Sequence, residues 1–149
     1  MFENLLSYFK SPGSETPLPA ADAKHALGAL FVRAAKADKA YLFEEVEQID
    51  RLLGAMYHLN PVEAAKMRAS CERLEQAIPA TTDLAGILRE AISQTDREAA
   101  VSALWRVVFS DGVETEEEDA VLHQIEETLG VAPDVAKQLH DTEMAKMQR

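Results

Sequence analysis

Cysteine is nearly absent from this chain, because Cys71 is the single one in the sequence. A lone cysteine cannot form an internal disulfide, which is typical of a reducing compartment. The sequence has no apolar run long enough for a membrane helix. Residues 1–10 contain Glu3 and lack the basic start and apolar core of a secretory signal. We therefore expect a cytoplasmic protein that does not span a membrane.

Positive charge is also scarce. The chain has 15 Lys and Arg residues against 26 Asp and Glu residues, which gives a formal net charge of −11. Nucleic-acid binding requires clustered basic residues, so this balance argues against a nucleic-acid partner. It argues equally against attraction to anionic lipid. We expect a protein partner instead, with a homodimer as one form of it.

The sequence lacks the common signatures of catalysis. It contains no Gly-x-Ser-x-Gly motif and no glycine-rich phosphate loop. Its histidines are dispersed and form no close zinc-binding pair. We therefore expect a protein that is not an enzyme, with a metal-dependent hydrolase using paired carboxylates as a further alternative. The histidines are His25, His58, His123 and His140.

Alanine, leucine and glutamate dominate the composition, which favours helix over strand. Phe2, Leu5, Leu6 and Phe9 predict a short amphipathic helix over residues 1–10 that docks on its own domain, a second copy or a membrane. A Pro-, Gly- and Ser-rich stretch predicts a flexible linker over residues 11–20. The remainder, residues 21–149, is predicted to be one helical domain.

Apolar periodicity predicts seven helices in that domain. Helix N-termini are predicted from capping residues, either single Asn and Asp or the Ser/Thr-x-x-Glu capping box. Apolar residues at helical spacing are predicted to form the core, with Met56 and Cys71 facing inward and Trp105 as an anchor. The predicted capping positions are Asp22, Asn60, Asp83, Thr95 and Thr115.

The two halves of the domain match at an offset of 73 positions. At that offset Arg33 pairs with Arg106, and the apolar positions of the following helices also coincide. Each half alone would expose an apolar face. The pattern therefore predicts a duplicated three-helix unit over about residues 22–78 and 95–147, with a bridging helix over about 83–94.

Each predicted unit has one acidic loop between its first two helices. Asp38 and Glu45 flank the first loop, and Asp111 and Glu118 flank the second. Clusters of oxygen ligands suit hard cations such as Ca²⁺ or Mg²⁺, so these four carboxylates are the candidate metal ligands. Their spacing does not fit an EF-hand. The alternative is purely structural: each Asp ends a turn, and each Glu closes a capping box.

The stretch from Leu104-Trp105 through Asp111-Gly112 to Glu118 resembles the TerB-like family, which is named for tellurite resistance. The resemblance extends over about residues 20–144 and includes Asp38 and Glu45. It implies an all-helical domain with an internal repeat and an acidic cluster proposed to bind metal. It does not imply a molecular activity.

Two positions depart from the family pattern in the first loop. Lys39 follows Asp38 where the family has Gly, and Leu42 stands where the second loop has Thr115. We therefore expect the second loop to be the better cation site. The expected function is a non-enzymatic, stress-related TerB-like module that binds a divalent cation. The alternative is a metal-free interaction domain whose acidic face binds a basic partner.

Overall fold

The computed structural model describes residues 22–147, and this part of the chain contains α-helices, one 3₁₀ turn and no strand. The all-α prediction is therefore confirmed for the described residues. The predicted helix over residues 1–10 and linker over residues 11–20 lie outside them. The seven helices are α1 (Ala23–Ala35), α2 (Phe43–Tyr57), α3 (Pro61–Ala77), α4 (Thr81–Ala91), α5 (Gln94–Val108), α6 (Glu116–Leu129) and α7 (Pro133–Met147).

Helix α1 lies at the centre of the molecule. Its side chains are small or apolar on every face, and nearly all of them from Ala26 to Ala35 are buried. A helix that is apolar all round needs neighbours on all sides. Accordingly, α1 packs against α2, α3, α4, α5 and α6.

Helix α5 is the second buried helix, and Leu104, Trp105 and Val108 are its largest side chains in the core. It packs against α1, α6 and α7. Helix α4 packs against α1 on one side and α6 on the other. A single hydrophobic core therefore connects residues from α1 to α7.

Three predicted capping sites are confirmed. Asp22 accepts a hydrogen bond from the His25 amide at 2.9 Å, and Asn60 forms a full capping box with Glu63. Thr115 forms the same box with Glu118. Each box satisfies amide groups that a helix N-terminus would otherwise leave without a partner.

Two predicted caps are wrong. Helix α5 begins after Ser93, whose hydroxyl accepts the Asp96 amide at 3.2 Å, so Thr95 lies inside the first turn. Helix α4 begins after Ala80, and Asp83 lies in its first turn, where a negative charge suits the helix dipole. In both cases the helix begins earlier than predicted, because Ala80 and Ser93 have the extended backbone of an N-cap.

The core predictions hold for Cys71 and Trp105, which are 0% and 1% exposed, but not for Met56. Met56 lies near the end of α2 and is 40% exposed, because the inward stripe of that helix runs through Ile49, Leu52 and Leu53 instead. The prediction that α2 buries Met56 is therefore wrong.

The first and third helices of each half are joined by an arginine and a buried glutamate. Arg33 Nε lies 2.7 Å from Glu75 Oε2, and Arg106 Nε lies 2.9 Å from Glu143 Oε1. Arg33 also donates to the carbonyl oxygens of Glu75, Ile78 and Pro79, which fixes the end of α3. The duplication of a three-helix unit remains a prediction: the two arginines match at the offset of 73, whereas their glutamate partners do not.

Candidate functional site

The second acidic loop is built by a 3₁₀ turn and a capping box. The chain leaves α5 through the turn Phe109–Asp111, and Gly112 takes a left-handed conformation with φ +79°. Asp111 Oδ1 accepts the Val113 amide at 2.9 Å. Glu118 Oε1 accepts hydrogen bonds from the Thr115 amide at 3.1 Å and hydroxyl at 3.0 Å. One oxygen of each carboxylate is therefore used to hold the loop.

The first acidic loop repeats these bonds. Lys39 has φ +67°, the conformation that Gly112 takes in the second loop. Asp38 Oδ1 accepts the Ala40 amide at 3.0 Å, and Glu45 Oε1 accepts the Leu42 amide at 3.0 Å. Leu42 has no hydroxyl, so only the glutamate half of the capping box is made, as the sequence suggested.

The two glutamates are buried although neither is paired with a basic residue. Glu45 and Glu118 are each 1% exposed. Within residues 22–147, the Oε2 atom of each is buried and has no hydrogen-bond partner. Buried polar atoms are almost always satisfied, so these two oxygens call for an explanation.

The structure also brings the two loops into electrostatic contact. Burial, assisted by the charges of Glu118, Asp111 and Asp38, raises the pKa of Glu45 to about 7. Burial likewise raises the pKa of Glu118 to about 7, assisted by Asp38 and Asp111. The charges of Asp38 and Asp111 therefore reach the glutamates of both loops, although the two loops come from distant parts of the sequence.

The four carboxylates do not form a ready-made chelating site. In the described part of the chain, no group of three or more His, Cys, Asp or Glu side chains is arranged to hold a metal ion. The carboxylates share a neighbourhood, and their oxygens would have to rotate towards a common point to bind a cation. Their Asp and Glu oxygens fit the ligand preference of Ca²⁺ or Mg²⁺.

A separate feature, not predicted from the sequence, is a cleft of about 970 Å³ between α6 and α7. Its floor includes Trp105, which lies 4.5 Å from His140 and 5.6 Å from Phe109 between ring centroids. The apolar lining continues through Val131 and Ala136. None of the four predicted carboxylates lines the cleft.

Hydrogen bonds and nearby charges shift the pKa values of several polar side chains around the cleft. Burial disfavours the charged form of His140, yet its hydrogen bonds to Asp141 and Glu114 raise its pKa overall. Burial and contact with Glu114 raise the pKa of Asp119 to about 6. Glu126 accepts the Trp105 indole N–H at 3.0 Å. Acids therefore outnumber bases around an aromatic floor.

Sequence reasoning missed the cleft because its residues belong to different local patterns. Glu114 lies in a loop, Glu126 on a helix, and His140 on the next helix. The available signal was the high content of charged and polar residues in α6 and α7. That pattern alone does not reveal the distance between the helices.

Comparison with protein families gives a direct result. The family model described as tellurite resistance protein TerB matches residues 24–141. The chain belongs to the TerB family. The matched range includes both acidic loops and the cleft of this TerB domain.

No curated protein and no solved structure matches the chain significantly. Among residues 22–147, no helix is both long enough and apolar enough to cross a bilayer.

Proposed function

We propose that this TerB domain is a non-enzymatic cytoplasmic module that binds a divalent cation, Ca²⁺ or Mg²⁺, between its two acidic loops. The ligands are Asp38, Glu45, Asp111 and Glu118. The family name associates such a module with a stress response to tellurite. The observation that carries the proposal is the pair of buried, unpartnered Oε2 atoms of Glu45 and Glu118.

A cation would resolve an unfavourable arrangement. Each buried glutamate has one oxygen committed to a backbone amide and a second oxygen without a partner. Removing a carboxylate from water without compensation costs several kcal/mol or shifts its pKa, and here the pKa of both is raised. A divalent ion would compensate both charges at once. The loop bonds would remain, since they use the other oxygens.

The electrostatic effect of each loop on the other is the reason for proposing one shared site and not two separate ones. The charges of Asp38 and Asp111 each raise the pKa of the glutamates in both loops. A cation placed between the loops would therefore be attracted by all four carboxylates. The second loop would dominate, because Lys39 places a positive charge beside Asp38. This arrangement differs from an EF-hand, in which one continuous loop supplies the ligands.

The alternative is a metal-free interaction domain whose acidic face binds a basic partner. Exposed apolar side chains on the two loops favour it, since Phe43 is 71% exposed and Val113 is 56% exposed. Such side chains would add apolar contact area if a protein partner covered the acidic face. A hydrolase is less consistent with the structure, because the four carboxylates do not line the cleft that a substrate would need.

Thermal unfolding of the chelated protein, with and without Ca²⁺, Mg²⁺, Mn²⁺ and Zn²⁺, tests the proposal. A ligand at about 100 times its dissociation constant stabilises the folded state by roughly 2.7 kcal/mol. We expect Ca²⁺ or Mg²⁺ to raise the unfolding midpoint. Glu118→Gln should abolish the rise, because the amide cannot neutralise a cation.

Glu117→Gln is the matched control, since Glu117 is an exposed neighbour on the same helix turn and loses the same charge. The ion response of this control should equal that of the unaltered protein. Absence of any ion-dependent shift would reject the cation site and leave the interaction domain. An equal loss in both variants would reject a specific role for Glu118.

A further inference from the structure

We propose that the cleft between α6 and α7 is a docking groove for a basic amphipathic helix of a partner protein. This surface is separate from the two acidic loops, and the proposal does not depend on a cation there. It rests on the shape of the cleft, its apolar floor and the charge of its rim.

The shape follows from the way α6 and α7 are held. Both helices pack against α5, but within the described residues they make few contacts with each other. The gap between them is the cleft of about 970 Å³, which is open to solvent. A groove between two helices is a recurrent binding place for the apolar face of a third helix.

The floor of the groove is apolar. Trp105, Val131 and Ala136 line it and are only 1%, 5% and 7% exposed, so they lie at the bottom of the cleft. Pro133 adds an apolar edge at the start of α7. Large side chains spaced three and four residues apart on a partner helix would fill such a groove.

The rim of the groove is acidic. Its carboxylates exceed its basic groups, which are Lys137 and the two histidines. Several carboxylates already have partners, since His140 contacts Glu114 and Lys137 contacts Asp141. Glu127, by contrast, is exposed and makes no ion pair among the described residues. A partner with lysines beside its apolar face would complement this rim.

Charge favours a basic partner helix over two other occupants, namely a second copy of the chain and residues 1–10. A second copy of the chain carries the same net charge of −11 and would be repelled. Residues 1–10 of the chain contain apolar side chains at helical spacing but only Glu3 and Lys10 as charged side chains. The acidic rim gives that segment no electrostatic advantage.

Trp105 provides the test, because it is the single tryptophan of the chain and lines the groove floor. A synthetic helical peptide of leucines and lysines, with leucine at helical spacing, is titrated into the full chain while Trp105 emission is recorded. We expect saturable binding that weakens with salt. The same peptide with leucines changed to serine, or with lysines changed to glutamate, should not bind.

Two variants locate the binding. Glu127→Lys reverses a rim charge and should weaken peptide binding roughly tenfold. Glu90→Lys makes the same charge change at an exposed position of α4 outside the groove and should leave the affinity unchanged. Equal effects of the two variants would overturn the groove as the binding place. Binding of the glutamate peptide as tight as that of the lysine peptide would overturn the proposed partner chemistry.

Two further results would assign the groove to another occupant and so overturn the proposal. Peptide binding that appears only in a Leu5→Glu variant would show that residues 1–10 fill the groove. A concentration-dependent change of Trp105 emission without peptide would show that a second copy fills it.

Discussion

The two halves of the TerB domain share the Asp and Glu bonds to the backbone at their loops but differ in the spacing of their helices. In the first half, α2 and α3 pack closely, and Arg68 bridges Asp50 at 2.6 Å and Glu72 at 3.2 Å. In the second half, α6 and α7 barely touch, and a cleft lies between them.

The two central helices also differ at the position where α1 meets α3 most closely. Gly28 of α1 faces Cys71 of α3 so closely that an added methyl group would lie 2.3 Å from its Sγ atom. At the offset of 73 the second half has Val101 in place of Gly28. The missing side chain of Gly28 permits the close approach of α1 and α3.

The comparison separates two requirements. The acidic loops need a fixed local geometry, so both loops keep the Asp and Glu bonds to the backbone. The spacing of the following helices differs: α2 packs against α3, whereas a cleft separates α6 from α7. We infer that the loops and the groove perform different tasks.

The largest expected effect concerns the two arginines. Arg33→Met removes bonds to Glu75 and to three carbonyl oxygens in a mostly buried place, and should lower the free energy of unfolding by about 3 kcal/mol. Among the described residues, the Arg106 side chain bonds to Glu143 alone, and it is 41% exposed. Arg106→Met should cost about 1 kcal/mol. Urea unfolding measures the free energy of unfolding of both variants. Equal losses would contradict the claim that Arg33 stabilises the fold more than Arg106.

A smaller effect is expected from pH. The pKa of Glu45 and of Glu118 is about 7 in the folded protein, above the usual value of 4.5. A raised carboxyl pKa favours folding when the group is protonated, so this contribution is fully present below the usual pKa. It is lost as pH rises through 7, on the order of 2 kcal/mol for each of the two glutamates between about pH 5 and pH 8 without cation.

Replacing one glutamate should sharpen this result. Glu118→Gln removes a charge that raises the pKa of Glu45, so the remaining pH dependence should shrink and move to lower pH. Urea unfolding across this pH range, with Glu117→Gln as the exposed control, measures the change. A profile of Glu118→Gln that overlays the profile of the unaltered protein would show that the two loops do not interact.

The smallest effect is expected at Lys39. Its φ of +67° is unfavourable for a side chain with a Cβ, whereas Gly112 adopts the same region at no such cost. Lys39→Gly should therefore raise the free energy of unfolding by about 0.5 to 1 kcal/mol. Lys39→Ala removes the same charge but retains the Cβ, so thermal or urea unfolding should show no comparable gain. A gain of equal size in both variants would attribute the effect to charge.

Local features of the fold were predictable because their causes are local. Asn60 and Thr115 were identified as caps since each is followed three residues later by the glutamate of its capping box. Thr95 and Asp83 were misassigned because capping residues stand close together and the sequence does not say which one adopts the extended backbone. Met56 was misassigned because apolar periodicity continues to the exposed end of α2.

The candidate residues could be chosen from the sequence, but the burial of the two glutamates could not be predicted from it. The offset of 73 singled out Asp38, Glu45, Asp111 and Glu118, whereas the burial of the two glutamates depends on how α1 and α5 bring the loops together. The cleft was not predictable, because its existence depends on the separation of α6 and α7. No spacing within either helix encodes that distance.

Calorimetric titration of Ca²⁺ and of Mg²⁺ into the chelated protein near pH 8 tests the shared cation site most directly. The account predicts that a single ion binds per chain and that Glu45→Gln combined with Glu118→Gln abolishes binding, while Glu44→Gln combined with Glu117→Gln does not. Absence of binding by either ion, or binding that survives loss of both buried carboxylates, would contradict it.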